Sequence, residues 1–324
     1  MADFSCTGRA PGCRRPTGVI LSALIALTVA LSAVAEADEP AVVASIKPIH
    51  SLVASVMEGV GEPLLLVDGN ASPHSWTLKP SQAAALADAG LVVWIGAGME
   101  SYLASPIDSL VPDGRVLELS TLPDIALLPR REDGVWEGHA HDDEEAGLGH
   151  AGYDPHFWLD PRNAIAIAAA VTDRLVALDP ENRNAYESNL AVLTDAIERL
   201  DAATAETLAP VREAPFIVFH DAFQYFEKRY GLAGVGAILV DPEQGASAAR
   251  LTAIRERLAE ADVVCAFAEP QIDPALLDTA VEGSDVRIAT LDPEGIPLEP
   301  GPALYARLIG NLAQTMTACL GGTG

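Results

Sequence analysis

The sequence predicts an α/β protein with two lobes, each a mainly parallel four-stranded sheet flanked by helices, joined by one long rigid helix. Eight continuous apolar runs bounded by turn residues are typical of strands buried on both faces. Helical stretches separate these runs, as parallel strands require. The runs form two sets of four with similar spacing, and a long helical stretch lies between the sets.

The strands of the two predicted sheets follow each other along the chain. The first set is AVVASI, PLLLV, LVVWIG and RVLEL, at residues 41–46, 63–67, 91–96 and 115–119. The second set is PFIVFH, GVGAIL, DVVCAFA and VRIATL, at residues 215–220, 234–239, 262–268 and 286–291. Because ADAGLVVWIG and AEADVVCAFA also resemble each other, we expect the two halves to share one plan.

A long helix is predicted between the two sets of strands. Asp160 and Asp179 are each followed by proline, a pattern that favours a helix N-cap with proline at the first helical position. Apolar residues then recur in steps of three and four up to Pro210, so the helix would span roughly 40 Å. The predicted ranges are 38–178 for the first lobe, 179–210 for the helix and 211–324 for the second lobe. The alternative is that the helix packs inside one large domain.

Residues 1–37 are predicted to be a secretory signal peptide, and the mature protein is predicted to be exported. A basic start precedes the apolar run GVILSALIALTVALSAVA, and small residues allow cleavage after Ala35 or Ala37. The alternative is an N-terminal membrane anchor. No lipobox cysteine follows the run, which favours a soluble exported protein over a lipoprotein.

Charge and cysteine content narrow the class of protein further. The formal net charge of −26 predicts an acidic surface that repels nucleic acid and anionic lipid. Cys265 and Cys319 are the cysteines that follow the leader, and in an oxidising compartment they predict one disulfide. Closing that loop would stabilise the fold by about 4 kcal/mol. A pair of thiolate metal ligands is the alternative.

Four metal-capable side chains lie where ligands gather in open α/β sheets, beyond the carboxyl ends of strands. They are His74 after the second strand, His156 before the helix that starts near Asp160, His220 ending FIVFH, and Asp292 after RIATL. Each lobe supplies two, so both lobes would bind a cation between them. Three imidazoles and a carboxylate suit tetrahedral Zn²⁺, whereas Ca²⁺ and Mn²⁺ prefer oxygen. Each histidine alone is as often a hydrogen-bonded structural residue.

Other polar residues are predicted to assist this site. Residues 132–152 are rich in Gly, Asp, Glu and His and predict a loop. Its histidines, His139, His141 and His150, suggest weak secondary zinc capture, and a solvated acidic loop is the alternative. Glu269 follows a predicted strand and is expected either to orient a ligand histidine as a hydrogen-bond acceptor or to hold its own loop.

The sequence resembles the zinc-binding periplasmic subunits of bacterial ABC importers, which belong to the metal-specific group of solute-binding proteins. The resemblance covers nearly the whole mature chain, in the segments VVASIKPIHSLVASV, SPHSWTLKPSQ, ADAGLVVWIGAGME, FHDAFQYFEKRYG, CAFAEPQ and TLDPEG. An acidic insert with histidines before PHFWLDP also fits the zinc branch. The resemblance implies the two-lobed fold and a Cys265–Cys319 disulfide. It also implies Zn²⁺ bound by His74, His156 and His220, with Asp292 or a water as the fourth donor.

Two positions in the resemblance bear on the metal. Some zinc-branch members have a carboxylate directly before the first-lobe histidine, where this sequence has Pro73. This departure increases the weight on Asp292 as the fourth donor. The manganese and iron members have an acid at the position of His220, so this histidine favours zinc.

The sequence and the resemblance therefore predict a carrier that captures Zn²⁺ in the periplasm and delivers it to a membrane ABC permease and its ATPase. Nothing indicates an oligomer, so a monomer is expected. A periplasmic metallochaperone that passes zinc to another binding protein is an alternative with the same ligands. A zinc hydrolase would need an open coordination position and a general base, and no His-Glu-x-x-His pattern is present. We therefore expect no enzyme activity.

Overall fold

The structure is a computed structural model that describes residues 41–68, 72–112, 114–131, 135, 152–240 and 247–322. The predicted signal peptide at 1–37 lies outside the described residues, and so do the loop histidines His139, His141 and His150. Within the described ranges, no helix is both long enough and apolar enough to cross a membrane.

The described strands form two four-stranded sheets, and all neighbouring strands in both sheets are parallel. The first sheet has the order β2-β1-β3-β4 and contains β1 (Val42–Ala44), β2 (Leu64–Leu65), β3 (Leu91–Trp94) and β4 (Val116–Glu118). The second has the order β6-β5-β7-β8 and contains β5 (Phe216–His220), β6 (Gly234–Leu239), β7 (Cys265–Ala268) and β8 (Arg287–Thr290). The predicted strands and the shared plan of the two halves are confirmed.

Helices connect the strands and cover the sheets. They are α1 (Lys47–Val56), α2 (Pro80–Asp88), α3 (Ser101–Leu110), α4 (Pro161–Leu178), α5 (Arg183–Leu208), α6 (Gln224–Tyr230), α7 (Ala248–Glu260), α8 (Ala275–Val281) and α9 (Leu304–Leu320). The Asp160 side chain accepts from the backbone N–H of Arg162 and caps α4, as predicted.

The predicted long joining helix corresponds to α5, which has 26 residues and is about 39 Å long at 1.5 Å per residue. It begins at Arg183 rather than directly after Asp179, because Pro180–Asn182 form a 3-10 turn. The Asp179 carboxylate holds this turn by accepting from Asn182 Nδ2 at 2.7 Å and from the Tyr186 hydroxyl at 2.9 Å.

Side chains alternate along the central strands between two hydrophobic layers, as strand geometry requires. Val43 and Val92 pack with α2 and α3, while Ile217 and Ala266 pack with α7 and α8. The intervening side chains enter one large cluster, shared by both sheets and by α1, α4, α5 and α9: Val42, Ala44, Leu91, Val93, Phe216, Val218, Cys265 and Phe267. Both sheets are therefore covered on both faces. The domain ranges 38–178, 179–210 and 211–324 remain a prediction.

Covalent and polar contacts fasten the end of the chain to the rest of the fold. A disulfide joins Cys265 in β7 to Cys319 in α9, which confirms the predicted bond and excludes this pair as thiolate ligands. Lys47 Nζ donates to the carbonyl oxygens of Ile296 (2.6 Å) and Leu298 (3.2 Å). The turn after β8 is therefore tied to α1 of the first lobe.

Candidate metal centre

His220 is the last residue of β5, which lies between β6 and β7 in the second sheet. Its side chain is buried, and Nδ1 lies 3.3 Å from Glu269 Oε1 and 3.5 Å from Oε2. Glu269 directly follows β7, and parallel neighbouring strands end at the same edge of a sheet. Because a carboxylate only accepts, Nδ1 carries the hydrogen, which leaves the Nε2 lone pair for a ligand. The orienting role of Glu269 remains a prediction.

His156 is fixed between an acidic side chain and a buried turn. Asp154 Oδ1 accepts from the backbone N–H of His156 at 3.0 Å and from its Nδ1 at 2.7 Å. The 3-10 turn Phe157–Leu159 follows, and all three of its side chains are fully buried. The Tyr225 hydroxyl in turn donates to the Asp154 carbonyl at 2.8 Å. The Nε2 atom of His156 is therefore also held with its lone pair available.

His74 lies in the loop between β2 and α2 and is half-buried. Its backbone N–H donates to Ser72 Oγ at 3.3 Å, and Ser75 N donates to the Ser72 carbonyl at 3.3 Å, so a short turn presents the ring. His74 Nε2 lies 3.3 Å from Nε2 of His156. The first lobe thus brings two imidazole nitrogens together, from segments 82 residues apart.

The three predicted histidines meet. One ligand atom from each of His74, His156 and His220 lies within 4.8 Å of the others, and the ring centroids are 4.9 to 5.4 Å apart. In a tetrahedral zinc site with Zn–N bonds of about 2.05 Å, ligand nitrogens are about 3.3 Å apart. The observed Nε2–Nε2 distance of 3.3 Å between His74 and His156 matches this expected separation between ligand nitrogens. The three rings can therefore bind one small cation with little rearrangement.

Burial and neighbouring charges set the protonation of these rings. Burial is the main cause that lowers the pKa of His74 and of His156 well below 6.5, and Arg130 and the other rings of the cluster add to it. Burial is the largest single influence on the pKa of His220 and would lower it, but the Glu269 carboxylate, with smaller contributions from Asp221 and Asp154, raises the pKa overall. Neutral imidazole is the form that binds metal. His220 is therefore the ring on which protons compete most strongly with a metal.

The cluster opens into a cavity of about 170 Å³ with charged walls. Asp154, Asp221 and Arg130 line it together with the three histidines. The Asp221 carboxylate accepts from Arg131 at 2.8 Å, and burial raises the pKa of Asp154 and of Asp221 to about 6. These charged residues were not predicted from the sequence. The YDPH motif was the available signal for Asp154, because an Asp two residues before a histidine readily accepts from its backbone N–H.

The structure does not bring Asp292 to the cluster. Its carboxylate accepts from the backbone N–H groups of Glu294 (2.9 Å), Gly295 (2.8 Å) and Ile296 (2.6 Å). The reason is strand order: β8 is the edge strand and β7 separates it from β5, so the ends of β5 and β8 are about 10 Å apart. Among the described residues no fourth protein donor joins the three histidines. Of the two fourth donors that the sequence left open, this arrangement favours water.

Comparisons with known proteins agree with this geometry. A family model described as "Zinc-uptake complex component A periplasmic" matches residues 42–319. The high-affinity zinc uptake system protein ZnuA of Brucella abortus (strain 2308) is 39% identical over 308 residues, which cover 87% of this chain and 92% of that protein. The protein of the same name from Paracoccus denitrificans (strain Pd 1222) is 38% identical over 329 residues, which cover 95% and 99%.

Solved structures share the fold. A crystal structure of ZnuA superposes with a TM-score of 0.73 at 25% identity and covers 87% of this chain and 100% of that chain. The periplasmic zinc binding protein TroA from Treponema pallidum has the same TM-score at 22% identity, covers 87% and 99%, and supports the fold alone. Since the family model spans most of the chain and the curated relatives cover it almost fully, this chain belongs to the family of periplasmic zinc-uptake complex components A.

Proposed function

We propose that this chain captures Zn²⁺ in the periplasm and delivers it to a membrane ABC permease that works with its ATPase. The single observation that carries the proposal is the convergence of three imidazoles, in which the Nε2 atoms of His74 and His156 already have the 3.3 Å separation that a shared tetrahedral ion requires. Membership of the family, and the zinc uptake systems after which its curated relatives are named, support the same conclusion.

In the proposed site His74, His156 and His220 each bind Zn²⁺ through Nε2, and a water is the fourth ligand. Asp154 and Glu269 hold two of the rings in the required tautomer, since each lies at an Nδ1 atom. Such acceptors fix ring orientation and raise ligand basicity. Three nitrogen donors favour zinc over the harder cations Mg²⁺, Ca²⁺ and Mn²⁺, which prefer oxygen.

We infer that the chain is a carrier and not an enzyme. A hydrolytic zinc site needs a general base within reach of the metal-bound water. In the described part of the cavity wall, the carboxylates already have partners: Asp154 accepts from His156, and Asp221 accepts from Arg131. Purified protein loaded with zinc should therefore not accelerate hydrolysis of ester or peptide substrates.

The zinc site is tested by titrating the purified mature protein with Zn²⁺ in competition with a chromophoric chelator. We expect one tight site per chain and a severe loss of affinity in His156→Ala and in His220→Ala. A variant that lacks residues 138–151 removes the predicted loop histidines and serves as the matched control with little expected effect. If the loop deletion is more damaging than either substitution, the ligand assignment is wrong. Anomalous diffraction at the zinc edge would identify the metal and its ligands directly.

Delivery and export are tested separately. We expect a strain that lacks this chain to grow poorly under zinc limitation, and the loaded protein to stimulate the ATPase of its reconstituted permease as a monomer. Equal transport without the chain would contradict the delivery proposal. Export requires removal of the leader, so the N-terminal sequence of the mature protein should begin at Glu36 or Asp38.

A further inference from the structure

The three predicted ligand rings are not held in the same way. His156 and His220 are buried, and each has a carboxylate at its Nδ1 atom. His74 is only half-buried, and none of the described residues bonds to its Nδ1. We propose that Gln82 is the positioning residue for His74, because it holds the chain segment that carries this ring in the place where zinc binds.

Gln82 uses both ends of its carboxamide to close the segment that carries His74. Its Nε2 donates to the carbonyl oxygen of Leu66, which directly follows β2. Its Oε1 accepts from the backbone N–H of Lys79 at 2.8 Å and from Nε1 of Trp76 at 3.3 Å. One side chain therefore joins a residue before the histidine to two residues after it.

The position of Gln82 in α2 makes it a firm anchor. It is the third residue of this helix, and a glutamine there that accepts from the N–H of the N-cap residue, Lys79, is one half of a capping box. Leu86, one turn further along α2, is fully buried in the hydrophobic layer that contains Val43 and Val92 of the first sheet. The carboxamide therefore connects the His74 segment to the first sheet.

The other hydrogen bonds near His74 are local. Its backbone N–H donates to Ser72 Oγ at 3.3 Å, and Ser75 N donates to the Ser72 carbonyl at 3.3 Å. These bonds stay within one turn and would move with it. Trp76 is the nearest link between this turn and the rest of the fold, because it packs against the large core cluster and donates to Gln82.

The expected size of the effect follows from the cost of ordering the segment. Zinc binding needs the His74 ring in one place, so any freedom that the segment has in the metal-free protein must be lost on binding. Fixing the backbone of a single residue costs free energy equivalent to about five- to thirtyfold in an equilibrium constant. Because the packing of Trp76 remains without Gln82, we expect zinc affinity to fall by about tenfold. This inference rests on the proposed zinc site.

The test is a double-mutant cycle between Gln82 and His74. Gln82→Met keeps the length of the side chain but removes the carboxamide and its three hydrogen bonds. Gln82→Glu is the conservative variant, which keeps an acceptor for Trp76 and Lys79 but cannot donate to the Leu66 carbonyl. Each change is made in the unchanged protein and in His74→Ala, and zinc dissociation constants come from competition with chelators of suitable strength.

Two further measurements complete the comparison. Gln314→Met is the matched control, because it makes the same substitution at an exposed position on α9. Urea unfolding of each metal-free variant checks that it is folded. Should Gln82→Met not fold, Gln82→Glu in the two backgrounds provides the same comparison with a smaller expected effect.

We expect Gln82→Met to bind zinc about tenfold more weakly than the unchanged protein and Gln82→Glu to lie between the two. Gln314→Met should stay within about twofold of the unchanged protein. In His74→Ala the effect of Gln82→Met should shrink to less than about twofold, because a ring that is absent cannot be displaced. An equal loss in both backgrounds, or no loss in either, would overturn the inference. Failure of the unchanged protein to bind zinc would instead refute the proposed function.

Discussion

His220 and Asp292 both lie at the ends of strands of the second sheet, yet only His220 joins the cluster with His74 and His156. His220 ends β5, a central strand, and one of its ring nitrogens lies within 4.8 Å of a ring nitrogen of each of the other two histidines. Asp292 follows β8, an edge strand, and both of its carboxylate oxygens are used by three backbone N–H groups of the next turn. One side chain is available to a ligand, whereas the other stabilises its own turn.

The comparison teaches that two properties decide whether a polar residue at a strand end can bind a ligand. The first is the position of its strand in the sheet, because each intervening strand adds about 4.8 Å. The second is whether local backbone donors already satisfy the side chain. The turn after β8 is moreover tied to the first lobe, since Lys47 Nζ and Trp158 Nε1 donate to its carbonyl groups.

The largest expected difference is between His220→Ala and Asp292→Ala in zinc affinity. Binding free energies of about 10–16 kcal/mol for zinc sites, shared over four ligands, imply a loss of roughly a hundredfold to a thousandfold for one histidine. Asp292→Ala should change the dissociation constant less than about threefold, as measured by chelator competition. A loss with Asp292→Ala comparable to that of His220→Ala would place Asp292 in the coordination sphere of the bound state.

A smaller loss of zinc affinity is expected when Glu269, the partner of His220, is neutralised. Glu269→Gln keeps the shape of the side chain but removes the charge that faces Nδ1 of His220. Outer acceptors of this kind contribute about tenfold to a hundredfold to metal affinity. The comparison is made at pH 8 with Glu256→Gln, an exposed position on α7, as the control. Equal affinities of the two variants would show that Glu269 only supports its loop.

The pH dependence of zinc binding should report on His220. Glu269 raises the pKa of His220 above the ordinary value of 6.5. The His220 ring therefore stays protonated to a higher pH, and this proton must leave before the metal binds. Zinc affinity is therefore expected to fall by about tenfold per pH unit, beginning above pH 6.5. In Glu269→Gln the onset should move to lower pH. Zinc titrations between pH 5 and 8.5 measure the onset in the unchanged protein and in Glu269→Gln. An onset at the same pH in both proteins would show that the competing proton is not the one on His220.

The smallest expected effect concerns the Asp292 turn. Asp292→Ala removes the acceptor of three backbone N–H groups, and hydrogen bonds to a charged group are worth about 1.5–3 kcal/mol in protected positions. For this half-buried residue we expect the free energy of unfolding of the metal-free protein to fall by about 1–2 kcal/mol in urea titrations. Asp285→Ala, at an exposed position, is the control. No difference between the two would mean that Lys47 and Trp158 hold the turn without Asp292.

Most of the fold could be predicted because apolar runs and helical periodicity are local properties of the sequence. All eight described strands coincide with predicted runs, and the long helix differs only by the turn Pro180–Asn182 at its start. The convergence of the histidines was also predictable, because each stands where ligands gather around α/β sheets. The signal peptide and the loop histidines remain predictions.

The rest depends on information that single strands and motifs do not contain. The order β6-β5-β7-β8 places Glu269 beside His220 and keeps Asp292 away, and no local pattern specifies this order. Arg130 enters the cavity wall because two segments pair around Pro129 and Tyr153. Such pairing across the predicted loop is long-range, so its consequences for charge at the site became visible only in three dimensions.

The large cluster under both sheets contains α9 side chains such as Leu304 and Ile309, which pack with α1 and α5. Helix α1, which packs on the first sheet, is synthesised early, yet part of its own covering belongs to the last helix of the chain. A nascent chain therefore cannot bury that hydrophobic layer until synthesis is almost finished. Truncation before residue 304 should accordingly leave both halves, not only the second, prone to proteolysis and aggregation.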